Sequence, residues 1–207
     1  MVTVAGYLYP WDVVGDPAAP QRLASLGLDH VVLAAVYHAT RAVTPFHPRH
    51  RIVAVPQAAY YPPGDPTDRF GTAVAALSTV DLPVHAWVVL NHTDGGDLGE
   101  CCVVNAYGDR YPWALCPAHP EVVERGAGLA TGAASRPGLA GIELEACGWY
   151  GFEHTGPHDK TAGTGADPAG RRRYSICFCT ACRASYRAAG LDPDGLAAQV
   201  RAAIDGG

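Results

Sequence analysis

Charge is scarce in this chain of 207 residues: Asp, Glu, Lys and Arg make up 17% of it, against roughly a quarter in an average globular protein. Lysine is nearly missing. Lys160 stands alone among cations that are otherwise arginine, and no basic cluster exceeds Arg171–Arg173. A net charge of -5 spread in this way gives no positive field for a phosphate backbone, so nucleic acid is not expected as a partner. Long apolar runs are missing too: none approaches the ~20 residues that span a bilayer. Met1–Val4 also lacks the basic start of a secretory leader, so a soluble, cytoplasmic protein with no membrane partner is expected. Gly-x-Gly-x-x-Gly after the first strand, Gly-x-x-x-x-Gly-Lys and Gly-x-Ser-x-Gly do not occur. Dinucleotide, P-loop and serine-hydrolase readings thereby lose their signatures, and no cofactor is expected.

Apolar residues are plentiful at 48%, and 24 Gly with 17 Pro punctuate them, which describes a loop-rich globular chain and not a disordered one. Val2–Tyr9, His30–Tyr37, Arg51–Val55, Val84–Leu90 and Leu139–Leu144 are apolar, β-rich runs of the kind that strands buried on both faces of a parallel sheet require. Helical segments are predicted from about Asp16 to Leu28, from Asp65 to Thr79, from His119 to Ala134, from Cys179 to Ala189 and from Asp194 to Ile204. Asp65 would cap the second of these, with Pro66 at its first position. Alternation of this kind predicts an α/β protein with a parallel-stranded, barrel-like sheet. A complete barrel takes about 250 residues, so the expectation is an incomplete TIM barrel of about five strands, folded as one domain over residues 1–207.

In such folds ligands bind beyond the carboxyl ends of the strands. Tyr9 and Trp11, Tyr37 and His38, Tyr60, Asn91 and His92, and Glu143 and Glu145 all fall at such ends. Rings beside amides, imidazoles and carboxylates suit a sugar-like ligand, whose C–H face stacks and whose hydroxyls hydrogen-bond. Glu143 and Glu145 are two residues apart and should share one face of their strand while Ile142 and Leu144 pack on the other. A like-charged neighbour raises the pKa of one carboxyl and fits it for general acid catalysis. The structural alternative is pairing with an arginine such as Arg41 or Arg110.

Seven cysteines cannot all pair internally. Cys177-x-Cys179-x-x-Cys182, with Cys116, Cys147, His154 or His158 as a fourth member, has the residue types of a structural zinc knuckle, but it also suits a disulfide or reduced buried thiols. No metal ligand is assigned on spacing alone.

The order Leu115-Cys116-Pro117, Leu139-Ala-Gly-Ile-Glu-Leu-Glu145, an aromatic loop Gly148–Phe152, and Cys177-Phe-Cys-Thr-Ala-Cys182 resembles the uncharacterised glycoside-hydrolase-like TIM-barrel proteins of bacteria. In that group a "CP" segment precedes a helix, a "DGI-x-L-E/D" strand supplies carboxylates and a "C-x-C-x-x-C" stretch follows. Gly141, Ile142 and Leu144 match the strand, Glu145 falls at the family's acid, and Ala140 replaces the usual Asp. The resemblance covers about a third of the chain. It implies a barrel that binds carbohydrate and stops after the fifth or sixth unit, truncated on its C-terminal side. On this reading Glu145 is the catalytic acid/base and Glu143 binds or tunes it. Asn91, His92 and His154 contact hydroxyls, and Trp11, Tyr60, Trp149 and Tyr150 stack. The alternative is a non-catalytic carbohydrate-binding or scaffold protein with a Cys-stabilised loop.

Overall fold

The computed structural model describes residues 2–55, 59–60, 67–93, 98–152, 160 and 167–206. By packing, the chain divides into two compact units, Met1–Leu90 with Ala127–Glu145, and Asn91–Gly126 with Ala146–Gly207.

The first unit is built on a parallel sheet. Strands β1 (Ala5–Leu8), β2 (His30–Tyr37), β6 (Val84–Val89) and β9 (Gly141–Glu145) lie in the order β1-β2-β6-β9, every neighbouring pair parallel. The continuous apolar runs behave as predicted: Val31 to Val36 and Ala86 to Val89 are buried on both faces. One face packs on α2 (Arg69–Ser78), whose Phe70, Ala73, Val74 and Leu77 recur at i, i+3, i+4 and i+7 and are all buried. They meet Val31, Leu33, Ala35, Val84, Ala86 and Val88 in a single core, which is how an amphipathic helix covers a sheet. Asp65 and Pro66 lie outside the described residues; the observed cap is Asp68, whose carboxylate accepts from the Gly71 amide. The same Asp68 pairs with Arg136, a buried guanidinium set over the Phe70 ring at 5.4 Å. The short helix α1 (Ala19–Ala24) falls inside the predicted segment.

The run around Val53 is a correction. Strand β4 (Ile52–Val55) is not in the parallel sheet; it pairs antiparallel with β3 (Thr40–Val43) as a separate hairpin. The intervening stretch, with Pro45 and Pro48, contains no helix, and a parallel connection needs a crossover of a dozen or more residues. Strand β5 (Ala59–Tyr60) adds to β2 antiparallel, Tyr60 opposite Val36.

The second unit contains the hairpin β7 (Cys102–Val104) and β8 (Arg110–Leu115), the start of α3 (Pro120–Ala134), and helices α4 (Pro168–Tyr174), α5 (Thr180–Ala188) and α6 (Pro193–Asp205). Asn105 turns the hairpin by accepting from the Tyr107 and Asp109 amides, with Gly108 at φ +94°, a conformation that favours glycine. Among the described residues its core includes Val103, Tyr111 and Ala114 around four cysteines, and a cluster of Ala106, Phe178, Ala197 and Val200. Among the described residues no helix is long and apolar enough to cross a membrane.

Candidate functional site

Side chains alternate across a strand, so the sheet face opposite α2 is read directly from the register. Tyr7 on β1, His30 and Val32 on β2, His85, Trp87 and Val89 on β6, and Glu143 and Glu145 on β9 belong to it, with Trp87 paired to Glu143 and Val32 to His85. Glu143 and Glu145 share this face, as the two-residue spacing predicts. Ile142 and Leu144 do not pack as expected: they are 36% and 45% exposed, because among the described residues β9 is the last strand of its sheet and pairs only with β6.

The two glutamates sit in different surroundings. Glu143 accepts from the Tyr7 hydroxyl at 2.9 Å on Oε2, while Oε1 faces His30 Nε2 and His85 Nδ1, each at 3.5 Å. Burial works to raise its pKa, but the Tyr7 hydroxyl and the two imidazoles outweigh it and hold the carboxyl below its ordinary value. Glu143 reciprocally pushes the Tyr7 phenol up. Glu145, at the carboxyl end of β9, is exposed and accepts from Trp87 Nε1 at 2.6 Å. Among the described residues neither glutamate pairs with an arginine, so neither Arg41 nor Arg110 takes the structural role considered for them.

Around Trp87, four of the residues predicted for ligand contact come together, Tyr9, Trp11, Tyr37 and His38, with Trp11 buried. Tyr9 stacks on Trp11 with centroids 4.4 Å apart and meets Tyr37 edge-on at 5.1 Å. Tyr37 contacts Trp87 at 4.6 Å and His38 at 4.2 Å. Burial pushes the Tyr9 phenol up, and burial likewise raises the Asp12 carboxyl, which accepts from the Tyr9 amide. Tyr7, Trp87, His30 and His85 are not among the residues the sequence singles out, although the alternation that selects Glu143 and Glu145 also puts them on this face. His154 and His158 lie outside the described residues, as does the side chain of Tyr60.

The remaining predicted residues belong to the second unit. Asn91 is buried and donates to the Gly148 carbonyl at 3.3 Å; His92 lies 4.9 Å from the Tyr150 ring. Trp149 is 61% exposed and, with Arg172, Ile176 and Tyr186, lines a cleft of about 630 Å³. Burial pushes the Tyr186 phenol up to about 12.

In this second unit Cys116 joins Cys177, Cys179 and Cys182; Cys147 is exposed and plays no part. All four are buried, and Cys116 Sγ lies 3.4 Å from Cys182 Sγ and 3.7 Å from those of Cys177 and Cys179. Such spacings are far beyond a disulfide bond of about 2.05 Å and close to the edge, about 3.8 Å, of a sulfur tetrahedron around zinc. Backbone amides of Val104 and Cys179 donate to Cys177 Sγ, and the Cys182 amide donates to Cys179 Sγ, each at 3.5 Å. Amide donors of this kind stabilise thiolate over thiol. Without a cation, hydrogen bonding to Cys116 and Cys179, with burial, pushes the Cys177 thiol far above its ordinary value. The donor set and geometry fit a structural zinc site of four thiolates, in which the fourth ligand would be the cysteine of the Cys116-Pro117 segment.

The fold so defined is a mixed α/β fold with a four-strand parallel sheet. Among solved structures the chain is similar to the β-galactosidase of the psychrophilic Marinomonas ef1, with 11% identity and a TM-score of 0.53 over 90% of this chain and 25% of that one. It thus spans about a quarter of that protein. A noncanonic maltogenic α-amylase from Thermotoga neapolitana matches at 13% identity and TM-score 0.43, over 72% of this chain and 40% of that one. No family model matches the chain, and no curated protein matches it.

Proposed function

We propose that this chain is a glycoside-hydrolase-like protein of the incomplete TIM-barrel kind that binds a carbohydrate at the carboxyl ends of its parallel strands and acts on its glycosidic bond. The observation that carries this reading is Glu145. Its exposed carboxylate ends a strand, is oriented by the Trp87 indole, and shares its sheet face with a cluster of aromatic rings at strand ends. Rings there offer stacking surfaces to a sugar, and a positioned carboxyl is what proton transfer to a glycosidic oxygen needs. Glu145 is the acid/base; Tyr9 and Tyr37 are the contact surface, and Trp11, buried, backs the Tyr9 ring. The match to a β-galactosidase fold supports the scaffold, and the sugar comes from the site.

A second reading has an observation of its own. Both oxygens of Glu143 already face side chains of this chain, Tyr7 on one and His30 and His85 on the other, so the second carboxylate that glycosidases use is engaged. A non-catalytic carbohydrate-binding protein follows from that.

The test is a panel of aryl glycosides and polysaccharides with the wild-type chain and Glu145→Gln, whose amide oxygen still accepts from Trp87. Turnover on at least one substrate, falling about 10²- to 10⁴-fold in the variant, is the expected result. Binding without turnover in both proteins establishes the second reading, and neither binding nor turnover removes carbohydrate from the account.

A further inference from the structure

His30, His85 and Glu143 converge at separations longer than those of charge-assisted hydrogen bonds. Each comes from a different strand of the parallel sheet, β2, β6 and β9, whose adjacency is set by the register. His30 Nε2 and His85 Nδ1 both aim at the same oxygen, Glu143 Oε1, and both stop at 3.5 Å. A charge-assisted N–H···O bond closes to about 2.7–2.9 Å, and the Tyr7 hydroxyl, on the other oxygen, has closed to 2.9 Å. The donor atoms lie within 4.8 Å of one another, and the imidazole rings are 4.3 Å apart at 31°. Around a metal with bonds of about 2.0–2.1 Å, tetrahedral neighbours sit about 3.3–3.4 Å apart, close to the separation seen from each imidazole to the carboxylate.

We propose that His30, His85 and Glu143 form a binding site for a divalent first-row transition metal of zinc's class. His30 Nε2, His85 Nδ1 and Glu143 Oε1 are the ligands and a water takes the fourth position. Two neutral imidazoles and one carboxylate are a donor set of zinc and its neighbours, and a poor one for magnesium or calcium, which want oxygen alone. Tyr7 acts at second hand: by occupying Oε2 it leaves Oε1 turned to the imidazoles, the orienting part that outer residues play around metal ligands. The solvent exposure of the group, with side chains 15% and 29% exposed for the histidines and 35% for the glutamate, makes this an exchangeable site, unlike the buried four-cysteine group. It stands independently of the carbohydrate reading, because neither Glu145 nor the aromatic cluster contributes a ligand.

Cobalt(II) added to the full chain with its cysteine site already filled by zinc tests the assignment. One further equivalent should bind, with weak visible bands and no thiolate charge-transfer absorption. His85→Gln and His30→Gln should each weaken it by more than about tenfold and Tyr7→Phe by about 10- to 100-fold. A readout without substitution accompanies these: the paramagnetic ion should shift the ring protons of His30 and His85 and leave the other seven of the nine histidines in place. No saturable binding below millimolar cobalt, affinity unchanged in folded His85→Gln, or shifts centred on other histidines would overturn the site.

Discussion

Cys116→Ser is expected to unfold the second unit of the chain. Serine removes one of four sulfurs in a buried cluster, the one that lies 3.4–3.7 Å from each of the other three, and structural zinc contributes about 10–16 kcal/mol of folding free energy in small domains. Even a fraction of that rivals the whole stability of an average domain, about 5–15 kcal/mol. The expected results are a loss of cooperative melting by circular dichroism and a loss of the thiolate-to-cobalt charge-transfer band in the cobalt-substituted protein. A strong chelator separates this from packing of reduced thiols: it should melt the wild-type protein, whereas thiols that only pack would ignore it. Wild-type protein that retains full helicity in chelator, with all buried thiols titratable, sinks the zinc assignment.

Asp68→Ala is expected to cost about 3–5 kcal/mol in the first unit, from a buried ion pair broken on one side. Arg136 is buried with its side chain 4% exposed, and its Nε and Nη1 find no partner among the described residues. Asp68 is therefore its compensation. The same carboxylate caps α2 through the Gly71 amide, a contact whose loss adds about 1 kcal/mol. Asp68→Asn keeps an oxygen for the cap and loses the charge, so its midpoint in urea should fall between wild type and alanine. An alanine variant within about 1 kcal/mol of wild type would mean that Arg136 is not a buried charge awaiting a partner.

The parallel sheet is legible in the sequence because stretches buried on both faces must be apolar, and Val31–Val36 and Ala86–Val89 are. The hairpin of Thr40–Val43 with Ile52–Val55 is not, because four-residue strands with exposed alternate positions leave too short a pattern to fix a partner. Helix α4 escapes sequence reading for a similar reason: seven residues, three of them consecutive arginines, have no apolar stripe, and the cap at Asp167 with Pro168 at the first position is a start signal with no periodic segment behind it. At the site, Glu143 and Glu145 are readable from spacing, whereas their partners are chosen by register between strands more than fifty residues apart in sequence. Cys116 illustrates the same limit. Its motif is visible, but selecting it over Cys147 as companion to Cys177, Cys179 and Cys182 depends on a hairpin that brings β8 to the start of α5.

Neither unit is a continuous stretch of chain, and this sets an order of events on the ribosome. When residue 90 emerges, β1, β2 and β6 are present but β9 is not; the sheet must wait with Trp87 and Val89 on an open border until residues 141–145 have been made. The intervening residues 91–126 belong to a unit that is itself incomplete until Cys177 to Cys182 arrive. Each unit therefore spends part of synthesis as an unfinished edge or an unfilled set of thiols, states in which exposed strands invite pairing with another chain. Halves cut at a single point would inherit that condition permanently, so co-expression of two fragments, and not either fragment alone, is the arrangement in which both units can form.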